Sequence, residues 1–459
     1  MRKRSIDDTI AAPATAAGVG PIGIVRISGP DALNIADKIF ISKDGKKPSS
    51  YGTYTVHYGH IANIDEVLLT VMRAPKSYTK EDIVEINCHG GIQAVKKVFD
   101  LVIKCGARIA EPGEFTKRAF LNGRIDLAQA EAVLDVIRAR TEGSLKAAAG
   151  QLEGCLSKEI SSILDTLINI ASHIEASIDF PDEELDIIKE EAIEKKVAGI
   201  LDKIKGLIES FSDGMVLREG VLAVICGKPN VGKSSLMNLL LKRDRVIVAP
   251  IPGTTRDAVE EMISLKGVPI RLVDTAGIGE VNDALYQESS GKSRRYIEKA
   301  DIVLLMLDAS TKINEEDLEI IRLVEERKKL VIVNKIDLDA GSTLKKRLAP
   351  LFKNDLMIEV SVEKKENIEA LEKSILEIVW GGKFTQGESV IVTNARHKEL
   401  LDKAFGNMLS VSKAVKDAMH PELIAVDLKE AIFNLGLIVG RSASDDILDK
   451  IFADFCIGK

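Results

Sequence analysis

The stretch Val221-Leu-Ala-Val-Ile-Cys-Gly-Lys-Pro-Asn-Val-Gly-Lys-Ser234 decides the fold at the middle of the chain. Its first six residues form an apolar run of strand length, as a strand buried on both faces requires. Gly227–Ser234 has the spacing GxxxxGKS, and Ser235–Leu241 reads as the opening of a helix. In that order of strand, loop and helix, glycines let backbone N–H groups curl around phosphates. The helix N-terminus adds its partial positive charge. Lys233 is placed to reach the β- and γ-phosphates, and Ser234 to ligate Mg²⁺.

Working outward, Ile270–Val273, Ile302–Leu307 and Leu330–Val333 are further short apolar runs, three of the four followed by helical sequence. The pattern predicts an α/β unit on a parallel sheet over residues 216–379. Asp274-Thr-Ala-Gly277 ends one strand, where Asp274 can organise a metal's water shell and the Gly277 N–H can meet a γ-phosphate. Asn334-Lys-Ile-Asp337 ends another. Asp337 has two acceptor oxygens for the N1–H and 2-amino donors of guanine, a pattern adenine lacks, and a site built for those donors rejects the wrong base. The three motifs, in order and each at a strand end, predict a domain that hydrolyses GTP. Gly253-Thr-Thr-Arg-Asp257 occupies the place of a first switch segment, with Thr255, or alternatively Thr254, closing onto Mg²⁺. Ile278 follows Gly277, where Ras-like enzymes hold a water-orienting glutamine. Asn230 is therefore a candidate to bring a monovalent cation in place of an arginine finger.

Helical sequence flanks this unit on both sides. Leu145, Leu152, Leu156, Ile160, Ile163, Leu167, Ile170 and Ile174 read as one stripe along a long helix, and a second charged helix is expected over Glu190–Phe211. Helical spacing returns after residue 383. The economical reading is a helical domain (119–215 plus 380–459) with the α/β unit inserted into it. Residues 1–118 read as a mixed α/β domain, with strands at Gly23–Ile27, Val67–Met72 and Ile83–Asn87 and helices at Ala32–Phe40 and Ile92–Cys105.

Composition bounds the rest. Of 459 residues, 45% are hydrophobic and 29% charged, with a net charge of −7, which excludes wholesale disorder and a global basic field. The five cysteines contain no CxxC pair and suit a reduced, cytoplasmic setting. Cys88 is expected at a buried strand end, and Cys456 as packed or as a reactive thiol. No apolar run reaches membrane-spanning length. Asp7 and Asp8, followed by Pro13, Gly18, Gly20 and Pro21, argue against an export signal after the basic start.

Over its full length the chain resembles the MnmE (TrmE) family of tRNA-modification GTPases. The stretches that carry the resemblance are Ile24-Val-Arg-Ile-Ser-Gly29, Ile83-Val-Glu-Ile-Asn-Cys-His-Gly-Gly91, Glu111-Pro-Gly-Glu-Phe-Thr-Lys-Arg-Ala-Phe-Leu-Asn-Gly-Arg124, the three GTPase motifs and the terminal Phe455-Cys-Ile-Gly-Lys459. The resemblance implies an N-terminal folate-binding domain that dimerises, a helical domain and an inserted Ras-like GTPase domain. It implies K⁺-dependent pairing of two GTPase domains. It also implies a flavin-dependent partner, MnmG, with which the wobble uridine of tRNA is modified using a one-carbon unit from 5-formyl- or methylene-tetrahydrofolate.

Carried over by motif, the folate contacts are Arg26, Glu85, Arg124 and Lys459. The Mg²⁺ ligands are Ser234 and Thr255, and the K⁺ ligands Asn230, Ala249, Ile251 and Thr254. The GTP contacts comprise Asn230, Val231, Gly232, Lys233, Ser234 and Ser235, then Ala249, Pro250, Ile251, Pro252, Gly253, Thr254 and Thr255. Asp274, Thr275, Ala276 and Gly277, then Asn334, Lys335, Ile336 and Asp337, with Ser361, complete the set. Lys233 and Asn230 are the expected catalytic groups. The family places a water-orienting glutamate where Tyr286 stands here, which leaves Tyr286 and Glu288 as candidates, with Glu280 further off. A ribosome-assembly factor or pure GTP switch would share Asn230 but calls for a basic RNA-binding domain. A membrane remodeller would want a basic amphipathic surface or an apolar tip.

Overall fold

The computed structural model describes residues 8–179, 190–244, 260–274, 294–338, 348, 350–353, 355–380, 390–417 and 419–459. The chain divides into two compact units, Met1–Leu134 with Gln151–Ala198 and Lys403–Lys459, and Asp135–Gly150 with Gly199–Asp402.

The first unit is built on a seven-stranded sheet. Its strands are β1 (Ile10–Pro13), β2 (Ile22–Ser28), β3 (Phe40–Ser42), β4 (Thr55–Ile61), β5 (Asp65–Met72), β6 (Ile83–His89) and β7 (Arg108–Ile109). They lie in the order β3-β4-β5-β6-β2-β1-β7, antiparallel except for the β1–β7 edge. Period-two alternation sends Val25, Ile27, Val67, Leu69, Val71, Val84 and Ile86 to one face. There they pack on α1 (Ala32–Ile39) and α2 (Ile92–Lys104) through Leu33, Ile35, Val98 and Val102. Arg26 and Glu85 stand directly opposite each other in the β2–β6 register. Cys88 is buried at its strand end, as expected.

Arg118, on α3 (Glu114–Leu121), has a side chain only 4% exposed and joins Asp8, Glu81 and Glu114, the last two at 3.1 Å. Arg108 holds Asp8 and Glu114 from the other side, each at 2.6 Å. Burial works against the Asp8 carboxylate, but the two arginines outweigh it and hold its pKa below 3.8. The stabilisation that this pair gives is therefore complete above pH 3.8 and is lost as pH falls through the lower folded-state value. Arg118→Met leaves the half-buried Glu81 without its arginine, while Asp8 and Glu114 keep only Arg108. It is expected to cost about 3 kcal/mol in urea unfolding and to move acid unfolding to higher pH.

The unit's helical part packs α6 (Cys155–Asp179) on the helix Pro421–Val439. Ile160, Ile163, Leu167 and Ile170 of the first and Leu428, Ala431, Leu435 and Ile438 of the second are all buried. Sequence spacing predicts one continuous helix through Leu145–Ile174, and the structure corrects this. α5 (Glu142–Leu152) ends at Glu153-Gly154, and Gly154 takes φ +84°, a conformation that costs an L side chain strain. The helix expected over Glu190–Phe211 is likewise α7 (Glu190–Glu209) followed by a separate α8 (Phe211–Glu219). The last helix, Asp445–Ala453, buries Leu448 and Phe452, with Phe455 beyond it, against Leu127, Ala130 and Val133 of α4 (Leu127–Arg138). Cys456 follows this anchor and is exposed rather than packed.

The second unit contains a six-stranded sheet. β8 (Val221–Cys226), β11 (Ile302–Asp308) and β12 (Lys329–Asn334) are buried at every residue. With β9 (Glu260–Leu265), β10 (Val268–Asp274) and β13 (Leu356–Glu359) they form the order β13-β12-β11-β8-β10-β9. All neighbours are parallel except β9, an antiparallel edge strand that the apolar-run pattern did not predict. α9 (Lys233–Asp244) and the helix Ile368–Trp380 cover one face through Leu236, Leu240, Leu371 and Ile375. Ile320 and Ile321 of the helix Glu315–Leu323 pack on the other. The C-terminal ends of β8, β10, β11 and β12 thus open on one edge, where ligands of open α/β sheets bind.

Candidate functional site

The turn out of β8 is fixed by packing. Gly227 has φ +150°, and a Cβ there would sit 2.4 Å from the Met306 carbonyl oxygen on β11. Asn230 takes φ +63° and Gly232 φ +103°, so the loop coils tightly before α9 begins. Lys233 is 6% exposed, and its ammonium donates to the carbonyls of Gly227 (2.8 Å) and Lys228 (2.9 Å). Burial pushes its pKa down, and Asp274 partly opposes that. Ser234 Oγ donates to Asp274 Oδ2 at 2.7 Å, which gathers two hard oxygen donors of the kind Mg²⁺ takes. Ser234, one of the two expected Mg²⁺ ligands, fits that role beside the carboxylate expected to order the metal's water shell; Thr255, the other, lies outside the described residues.

Asn334 and Asp337 divide their work. Asn334 is 3% exposed, donates to the Val231 carbonyl at 2.8 Å and accepts the Val362 N–H at 3.0 Å. It pins the phosphate loop to the 361–362 turn. Lys335 takes φ +65° and pairs with Asp308 at 2.7 Å. The fully buried Ser361 donates its hydroxyl to Asp337 Oδ1 at 2.6 Å and accepts the Lys364 N–H at 3.1 Å. The structure therefore brings together Asn230–Ser235, Asp274, Asn334–Asp337 and Ser361. Ala249, Pro250, Ile251, Pro252, Gly253, Thr254, Thr255, Thr275, Ala276, Gly277, Glu280, Tyr286 and Glu288 lie outside the described residues.

A second cluster forms in the first unit. Arg26 Nε donates to Glu85 Oε1 at 2.7 Å, each side chain 18% exposed, and Arg26 Nη1 donates to the Gly458 carbonyl at 3.2 Å. The Arg26 guanidinium lies 5.8 Å from the Tyr78 ring centre and 5.6 Å from that of Phe115, and Arg124 lies 4.6 Å from Tyr78. The Tyr78 and Thr116 hydroxyls are 2.9 Å apart. Burial pushes the Lys459 ammonium below its usual range, Arg26 adds to this, and Glu85 and Cys456 oppose it. The four residues expected to bind folate thus form one cluster, Arg26 and Arg124 beside the Tyr78 ring and Glu85 and Lys459 beside Arg26. A carboxylate for ring N–H groups, an aromatic face and cations for a glutamate tail fit that ligand. Tyr78 and Phe115 were not singled out from sequence. Phe115 lies inside the Glu111–Arg124 motif, whereas Tyr78 sits in an unremarkable Ser-Tyr-Thr loop.

Two family models cover the chain: the MnmE helical domain over residues 127–456 and the GTP-binding protein TrmE N-terminus over residues 9–124. The tRNA modification GTPase MnmE of Carboxydothermus hydrogenoformans is 47% identical, spanning 99% of this chain and 100% of the relative. That of Alkaliphilus metalliredigens is 46% identical over the same shares. The chain belongs to the MnmE family of tRNA modification GTPases. A crystal structure of an Aquifex aeolicus Era variant bound to GDP.AlF4- matches 41% of the chain and 67% of its own at 27% identity, with a TM-score of 0.30. Membership rests on the full-length MnmE relatives. Among the described residues of this MnmE-family chain, no helix is long and apolar enough to cross a membrane.

Proposed function

We propose that this chain hydrolyses GTP and, with a flavin-dependent MnmG partner, adds a carboxymethylaminomethyl-type group at C5 of the tRNA wobble uridine in the cytoplasm. A 5-formyl- or methylene-tetrahydrofolate supplies the one-carbon unit. Residues 1–118 form the folate-binding and dimerisation domain, 119–215 with 380–459 form the helical domain and lend Arg124 and Lys459 to the folate site, and 216–379 bind GTP. The clustering of Arg26, Glu85 and Lys459, with Arg26 and Arg124 both beside Tyr78, is the observation that carries this reading. A cluster of that chemistry has no use in a bare GTP switch. Calorimetric titration with 5-formyl-tetrahydrofolate tests it: saturable binding is expected, and the absence of heat with either folate would remove the assignment.

Within the GTP site, Lys233 would leave its two loop carbonyls for the phosphates, while Ser234 would ligate Mg²⁺ with Thr255 as the second protein ligand and Asp274 would order the metal's water shell. Asp337 reads the base. Asn230, in its left-handed conformation, supplies a side-chain oxygen for K⁺, together with Ala249, Ile251 and Thr254. The cation neutralises charge that develops in the transition state and lets two GTPase domains pair. Tyr286 and Glu288 remain the candidates for orienting water. Turnover in KCl is expected to exceed that in NaCl by about tenfold or more, with pairing seen only in KCl. Asn230→Ala should abolish the difference and keep nucleotide affinity. Equal turnover in the two salts would defeat the cation assignment.

A further inference from the structure

Lys228, the second residue of the phosphate loop, faces two ways. Its backbone carbonyl receives the Lys233 ammonium at 2.9 Å. Its own ammonium reaches out of the loop to Asp317 Oδ2 at 2.9 Å and Thr311 Oγ1 at 3.1 Å. The Lys228 and Asp317 side chains are 12% and 4% exposed, so water screens this pair little. Asp317 is itself immobilised. It is the third residue of the helix Glu315–Leu323 and closes a reciprocal cap, in which its Oδ2 accepts the Asn314 N–H at 3.1 Å and Asn314 Oδ1 accepts the Asp317 N–H at 3.0 Å. The helix N-terminus favours negative charge there.

The same segment holds the opposite end of the nucleotide site. Asp308, at the end of β11, pairs with Lys335 beside the base-reading Asp337. Residues 308–317 therefore run from an anchor on the guanine-reading turn to an anchor on the phosphate loop.

We propose that Lys228 and Asp317 are positioning residues for the nucleotide, holding the phosphate loop in its binding shape from outside and so setting the rate of GDP release. Neither stands among the expected nucleotide contacts. A loop held in the bound conformation spends less ordering free energy on binding, and that gain appears mainly in the dissociation rate. The inference rests on the nucleotide-site reading above.

Stopped-flow release of GDP carrying an N-methylanthraniloyl fluorophore, chased with excess GDP, tests it in the full chain. Lys228→Met leaves Asp317 in its cap and spares the helix; it is expected to speed release about tenfold with little change in association. Asp317→Asn should do the same. The double variant should be no faster than either single one, because both remove one interaction. Lys228→Arg should restore release to within about threefold of the native rate. Unchanged release in Lys228→Met, with only a lower unfolding midpoint, would make the pair merely structural and overturn the proposal. So would additive effects in the double variant. A native chain that binds no labelled GDP would instead overturn the nucleotide site itself, and the proposal with it.

Discussion

Asp337→Asn is expected to lower affinity for GTP about a hundredfold and to make xanthosine triphosphate the better ligand. The reason lies in Ser361. Its hydroxyl accepts the Lys364 N–H and donates its proton to Asp337 Oδ1. An asparagine keeps its oxygen toward Ser361, because only the oxygen can accept that proton. The amide nitrogen then takes the place of the second carboxylate oxygen. Guanine presents a 2-amino donor at that position, and two donors face each other. Xanthine presents a 2-oxo acceptor, and the pairing is restored. A donor left unpaired once the bound base shuts water away from it is what makes the loss large. Competition of the two triphosphates against labelled GDP measures both affinities. A variant that keeps native GTP affinity would remove Asp337 from the site. Ser361→Ala frees the amide to turn over, so adding it to Asp337→Asn should weaken the new preference.

The GTP site was legible because its chemistry is local. Each motif sits at the end of an apolar run, and the strand, loop and helix at Val221–Leu241 follow from neighbours in sequence. Ser361 is different: it lies 24 residues beyond Asp337 and acts by fixing one carboxylate oxygen. Asn334 carries a motif meant for the base, yet both ends of its amide hold backbone groups of the loop and the 361–362 turn. Only the fold reveals that assignment. Periodicity misled at Gly154, because the seven-residue step from Leu145 to Leu152 keeps helical phase while the backbone breaks just beyond it. The second cluster joins residues as far apart as Arg26 and Gly458. No local pattern reports such a contact. It depends on Phe452 and Phe455 anchoring the last helix, with Gly113 closely packed against Phe455. Tyr78 escaped for the same reason, since one aromatic residue in a polar loop has no period.

Glu85→Ala is expected to weaken tetrahydrofolate binding about a hundredfold, and Arg26→Ala nearly as much, with GTP affinity unchanged in both. Two strands place these side chains opposite each other, so each orients the other before any ligand arrives. Removing Glu85 deletes the acceptor for ring N–H groups and leaves the Arg26 guanidinium, only 18% exposed, without its carboxylate. Removing Arg26 also frees Gly458, whose carbonyl it holds, and with it the register of Lys459. The losses should therefore fall well short of additive in the double variant, since the two act as a unit. Glu85→Gln separates charge from shape: its amide can still accept one hydrogen bond, and a loss much smaller than that of Glu85→Ala would show that geometry matters more than charge. A proton signature provides an independent readout. Burial and Arg26 hold the Lys459 ammonium below 10.5, and an anionic glutamate tail beside it would raise that value again. At alkaline pH, binding should then take up protons, so the heat of binding should vary with the ionisation enthalpy of the buffer, and Lys459→Gln should abolish the dependence. Folate binding that is indifferent to Glu85, Arg26 and Lys459 alike would place the ligand elsewhere on the chain.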